Sequence, residues 1–230
     1  MKRRRRENEK LRPDESPEEM ISPVIVFAHG AGAPSSSEWM IRWKDMMKKQ
    51  LGAVEVVTFD YPYIGGGGGK RRVAPKAEKL IEFHLEIVKE TAARFPNHPL
   101  ILAGKSMGSR VSCMVAADPD VTVSAVICLG YPLKGMKGAI RDETLLQMGV
   151  PVMFVQGSKD SMCPLDKLDA VCKKMKAVTE LHVIDGGDHS FKIGKRHLHT
   201  NGLTQDDVQL VALQAISAFV SKCIAHNLLN

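Results

Sequence analysis

Six short apolar runs rich in β-branched residues recur along this chain, separated for the most part by longer segments of helical spacing, and that alternation restricts the fold more than any other feature. The runs are Val24 to Ala28, Val54 to Asp60, Leu100 to Gly104, Val123 to Leu129, Pro151 to Gln156 and Leu181 to Ile184. All have strand length, and apolar runs of this kind read as strands buried on both faces. Helical periodicity occupies about 37–51, 75–95, 107–117 and 164–176, with a closing helix at about 204–226. The expected architecture is therefore α/β: a mostly parallel, six-stranded, doubly wound sheet flanked by helices.

A chain of 230 residues fits one core. Residues 1–20, charged and carrying Pro13 and Pro17, are expected to form a disordered basic arm, and residues 21–230 one domain. The formal charge of +6 belongs to that arm: residues 1–12 hold seven Lys or Arg against Glu7 and Glu9, leaving 25 basic against 24 acidic residues in the body. An almost neutral body lacks the electrostatic footprint of a nucleic-acid-binding domain. The run Lys2 to Arg6 could serve as a nuclear address or a contact for a protein partner, or simply be a solvated tail.

No apolar stretch is read as approaching the roughly 20 residues of a membrane span, and no signal peptide follows the basic start. The expected location is the cytoplasm, with the nucleus as the alternative. Cys113, Cys128, Cys163, Cys172 and Cys223 are odd in number and form no close CxxC pair, so reduced thiols are expected and no metal site. Stretches 61–73 and 130–150 read as surface loops. The first contains five glycines before Lys70, but Ile64 stands where a phosphate loop needs glycine and Arg71 where it needs Ser or Thr.

The segment with chemical content runs from Leu100 to Gly108, where a buried-type strand passes directly into Gly-Lys-Ser-Met-Gly and then a helix. Such a turn is so tight that the central serine takes strained backbone angles, and glycines two before and two after it let neighbouring backbone approach. The plain alternative is a glycine turn in which Ser106 only caps the helix. A serine hydroxyl at neutral pH needs a base to become a nucleophile, and the base needs a partner that fixes its tautomer. Asp160 follows the fifth run and His189 the sixth, giving the chain order Ser, Asp, His.

His29 lies far upstream, and His197 and His199 fall in a basic stretch expected to face solvent. Asp185 and Asp188 compete with Asp160 but share the short loop of His189, where an awkward bend would be needed to reach its ring. After the first run, His29-Gly30-Ala31-Gly32 is a small-residue loop suited to lend a backbone NH, and Met107 would lend another. Tyr63, Tyr131, Met107, Met162 and Phe191 flank this constellation and are candidates for an apolar substrate-binding wall.

Together these residues resemble the α/β-hydrolase superfamily over about residues 23–226, and in particular its small members related to dienelactone hydrolases. The HGAGAP loop at 29–34, the GKSMGSR turn at 104–110 and the GGDHSF loop look most like the family of testis-expressed proteins, which also includes a hydrolase-like subunit of a histone acetyltransferase complex. The resemblance implies an α/β-hydrolase sheet without its usual first two antiparallel strands, and a site at the carboxyl ends of the strands. Ser106 stands where dienelactone hydrolases have cysteine, so their substrate does not carry over.

The expected chemistry is hydrolysis of an ester or thioester of a small acyl substrate. Ser106 is the nucleophile, His189 the base and Asp160 the orienting acid; Ala31 and Met107, with Gly30 and Gly32, form the oxyanion hole, and no cofactor is required. The 21 residues 130–150 are too few for a large lid. The alternative from another class is a hydrolase fold kept as a non-catalytic scaffold.

Overall fold

The computed structural model describes residues 22–64, 73–135 and 138–229. The expected arm at 1–20 and the glycine run at 65–69 lie outside them. Six strands are observed: β1 (Val24–Ala28), β2 (Glu55–Phe59), β3 (Leu100–Lys105), β4 (Ala125–Leu129), β5 (Val152–Gly157) and β6 (Thr179–Ile184). They form one sheet in the order β2-β1-β3-β4-β5-β6, and every pairing is parallel.

The strand sequences explain that order. Every residue of β1, β3, β4 and β5 is buried, as continuous apolar runs require of central strands. At the edge, β6 leaves Leu181 and Val183 partly exposed. It begins at Thr179 rather than Leu181, since the ladder to β5 pairs Val152 with Thr179. β4 begins at Ala125 rather than Val123, where its register with Ile101 starts.

Helices cover both faces. On one side α2 (Ile81–Arg94), preceded by a 3-10 turn (Ala77–Leu80), lies with α3 (Met107–Ala116) and α5 (Leu165–Cys172) over Val24, Val26, Leu102 and Phe154. On the other, α1 (Glu38–Leu51) and α7 (Gln205–Leu229) cover Ile25, Phe27, Ile101 and Met153. α1 buries Met40, Trp43 and Met47, spaced at helical intervals, and ends on Gly52 in the left-handed conformation that glycine adopts without steric cost. Two further helices, α4 (Glu143–Leu146) and α6 (Lys195–Thr200), span four and six residues, too few for periodicity to reveal them.

The closing helix corrects one expectation. Gln205–Leu228 is long and apolar enough to cross a membrane by length and composition, because Gln209, Gln214, Ser217 and Ser221 interrupt it without adding charge. In the fold, 44% of its most apolar 18-residue window is buried, with Ala212, Leu213, Ile216, Phe219 and Val220 against the sheet.

Two clefts, of about 320 and 400 Å³, open near the amino ends of β1 and of β3 and β4. Between β4 and β5 the described residues contain only the single turn α4, so no large lid stands over the opposite, carboxyl ends.

Candidate active site

The sheet order places a switch point between β1 and β3, since the chain moves outward from β1 to β2 and then crosses to the other side. In open α/β sheets, loops leaving neighbouring strands diverge at such a point, and ligands bind outside the carboxyl ends there. Ser106 follows β3 at this point, with φ 52° and ψ −114°, a conformation that costs a non-glycine residue of order 1–3 kcal/mol. The strain is held by neighbours. A Cβ added at Gly104 would lie 2.3 Å from backbone atoms of Gly108 and Ser109, and one at Gly108 would lie 2.5 Å from the Ala28 carbonyl oxygen. The Ser106 NH donates to Leu129 O at 3.0 Å, and the Ser109 hydroxyl donates to Ser106 O at 2.6 Å.

Three side chains distant in sequence converge here. His189 Nε2 lies 2.9 Å from Ser106 Oγ, and its Nδ1 lies 2.6 Å from Asp160 Oδ2. The histidine side chain is 28% exposed, while the aspartate is fully covered. Asp160 accepts two further hydrogen bonds, from Gln156 Nε2 at 2.5 Å and from the Met162 NH at 2.8 Å. Burial pushes the Asp160 pKa up, but hydrogen bonding and charge from His189, with the Met162 and Gln156 amides, outweigh it and hold the pKa below the ordinary carboxylate value. An ionised Asp160 fixes the tautomer: Nδ1 carries the proton and Nε2 faces the hydroxyl as an acceptor.

The competing acids have other partners. Asp188 accepts from the Ser190 and Lys192 amides at 2.8 and 2.9 Å, which folds the histidine loop on itself. Asp185 accepts from the Ser158 hydroxyl and pairs with His197 at 3.0 Å. His197 is thus part-buried over Gly186 rather than facing solvent as expected, while His199 is exposed. His29 is fully buried: its Nε2 accepts from the Tyr61 NH at 3.0 Å, so it ties the ends of β1 and β2 together.

The small-residue loop after β1 packs on the serine turn, with a Cβ at Gly30 lying 3.3 Å from Lys105 O and 3.4 Å from Ser106 Cβ. Ala31 and Gly32 continue that loop, and Met107 opens α3 directly after the serine. The expected substrate wall divides. Met162 is 38% exposed beside Asp160, whereas Tyr63 is buried, stacked on Tyr61 with its hydroxyl near Gly30 O at 3.5 Å. Tyr131 and Phe191 are corrected. Tyr131 is buried against Phe154 with its hydroxyl donating to Arg141 O, and Phe191 is buried against Trp39 and Trp43, so both belong to the core.

A family model described as "Alpha/beta hydrolase domain" matches residues 21–221. The chain belongs to the alpha/beta hydrolase family. Among solved structures of this fold, an esterase from Pyrococcus furiosus is 16% identical with a TM-score of 0.66, covering 89% of this chain and 84% of its own. A dienelactone hydrolase from Anabaena variabilis is 15% identical with a TM-score of 0.62, covering 90% and 87%.

Among curated proteins, monoglyceride lipase of Mus musculus is 27% identical over 108 residues, 46% of this chain and 34% of its own. A monoglyceride lipase homolog of Monkeypox virus is 22% identical over 143 residues, 61% and 49%. The chain spans half or less of the length of these curated relatives. The structural likenesses show the alpha/beta hydrolase fold.

Sequence reading missed three residues around the triad: Gln156, Lys105 and Trp39. Gln156 holds Asp160, Lys105 Nζ donates to His189 O at 2.5 Å, and Trp39 Nε1 donates to Ser190 O at 3.0 Å. Lys105 stands out in the sequence only as a charged residue directly after the apolar run Leu100 to Gly104, and nothing local names its partner.

Proposed function

We propose that this alpha/beta hydrolase cleaves esters or thioesters through a covalent acyl-serine. The observation that carries the proposal is the continuous chain from Ser106 Oγ to His189 Nε2 at 2.9 Å and from His189 Nδ1 to Asp160 at 2.6 Å. In the proposed reaction Ser106 Oγ attacks the acyl carbonyl carbon while its proton passes to His189 Nε2. The backbone amides of Ala31 and Met107, in a loop kept slender by Gly30 and Gly32, receive the oxyanion, a contribution of about 100- to 1000-fold per donor in comparable sites. Collapse expels an alcohol or thiol that takes the proton from the imidazolium. Water, deprotonated by the same histidine, then releases the acid and restores the serine.

The names of the relatives, an esterase and monoglyceride lipases, support carboxylic esters as the substrate class. The missing lid and the exposed Met162 favour an open site that takes short or accessible acyl groups. A fluorophosphonate probe tests the proposal: the wild type is labelled and Ser106→Ala is not. Absence of labelling in the wild type would support the scaffold reading instead.

A further inference from the structure

The loop that carries His189 contains a strained residue with no glycine to relieve it, Phe191 at φ 66°. For a bulky side chain this conformation persists only when its surroundings over-determine it. The surroundings are unusual in kind. Each of three successive carbonyls receives a side-chain donor from a different element. Lys105, at the end of β3, donates to His189 O at 2.5 Å; Trp39, in α1, donates to Ser190 O at 3.0 Å; Gln205, opening α7, donates to Phe191 O at 2.8 Å.

The most demanding of these donors is Lys105, only 8% exposed. Its ammonium lies 5.4 and 5.5 Å from the ring centres of Trp39 and Phe191, so it stands between two aromatic faces. Burial drives its pKa down to about 8, against the opposing charges of Asp160 and Asp188. A methionine would fill the same volume without that penalty, so the amine must do something that packing does not. Space is kept for it: a Cβ at Gly130 would lie 3.0 Å from Lys105 Nζ and 3.1 Å from His189 O. The residue that receives this hydrogen bond is the histidine itself.

We propose that Lys105, Trp39 and Gln205 form a three-point clamp on the carbonyls of residues 189–191 and act as positioning residues that hold the His189 ring in line with Ser106. The inference rests on the reading of His189 as the base. The clamp fixes the loop from its backbone side, whereas Asp160 fixes the ring from its edge. Two independent constraints are needed because a side chain hinged at one mobile Cα swings even when its tip is tethered. A misplacement near 1 Å at a reacting group costs about 100-fold in rate.

The test uses the full chain carrying Lys105→Met, Trp39→Phe or Gln205→Met. The rate of Ser106 labelling by the fluorophosphonate is expected to fall about 10- to 100-fold in Lys105→Met and several-fold in each of the others. With an ester substrate, kcat falls and KM holds. The low-field proton resonance of the His189 Nδ1–H···Asp160 bond broadens in all three. Lys105→Met is expected to melt no lower than the wild type, since a buried charge is removed. A merely structural role would lower melting temperatures and leave the labelling rate and the resonance unchanged, and that result overturns the clamp. Should Lys105→Met not fold, the other two variants decide by the same readouts. Wild-type labelling that does not depend on Ser106 sinks the triad and the clamp together. Wild-type labelling through Ser106 with unaltered variants sinks the clamp alone.

Discussion

Gly104→Ala puts the geometry of the serine turn under direct strain. The added methyl would sit 2.3 Å from Gly108 C and from Ser109 N, where carbon contacts are comfortable at about 3.5–4.0 Å. More than about 1 Å must be found, and the three nearest atoms are all backbone, so α3 has to move as a unit away from β3. Overpacking of this kind typically costs 1–3 kcal/mol, and the absence of any yielding side chain puts this site at or above the upper end, about 3 kcal/mol. For a domain of this size that is a fall in melting temperature of about 6–12 °C. Since α3 carries Met107 and starts on Ser106, the same shift displaces the hydroxyl and its neighbouring NH, and fluorophosphonate labelling should slow about 100-fold. Gly149→Ala is the control: nothing lies within 4 Å of its added methyl, so melting and labelling should stay near wild type. Circular-dichroism melts and timed labelling read both quantities. If Gly104→Ala melts within about 1 °C of the wild type and labels at its rate, close backbone packing is not what holds the strained serine.

Two further perturbations reach other parts of the molecule. Asp160→Asn preserves shape but replaces an ionised acceptor that three donors address, so His189 loses its tautomer and kcat should fall by about 10⁴ in a steady-state esterase assay, with folding intact by circular dichroism. His84 is buried, its pKa lowered to about 3 by burial and then by His29. The folded state therefore refuses a proton that the unfolded chain accepts below its ordinary value of 6.5, so unfolding takes up a proton and stability is lost as pH falls from 6.5 toward 3. The full effect is up to about 5 kcal/mol, and urea titrations of His84→Gln against the wild type across that range should show a shallower pH slope in the variant.

Most of the sheet was legible because its central strands are continuous apolar runs, and a run such as Val24–Ala28 has no competing reading. Legibility failed where exposure removed the signal: Thr179 and Glu180 open β6 at the sheet edge, where burial no longer selects apolar residues. The three residues of the candidate triad could be picked out because a strand-to-helix turn and the two later strand ends constrain where a hydroxyl, a carboxylate and an imidazole can meet. Their supports could not. Lys105 and Trp39 meet the histidine loop across 84 and 151 residues of chain, and no local pattern marks such a contact. Tyr131 and Phe191 misled for a related reason: an aromatic residue next to a site in sequence can point into the core, as the tilted contact with Trp39 and the edge-on contact with Trp43 show for Phe191.

Ser106 and His189 stand on unequal ground. The serine leaves a strand with neighbours on both sides, whereas the histidine leaves β6, which has a partner on one side only. Outer strands open at lower free energy than inner ones. When the sheet loosens from its free margin, the imidazole departs while the hydroxyl is still in place, so the proposed acyl chemistry is expected to vanish from a molecule that remains almost wholly folded.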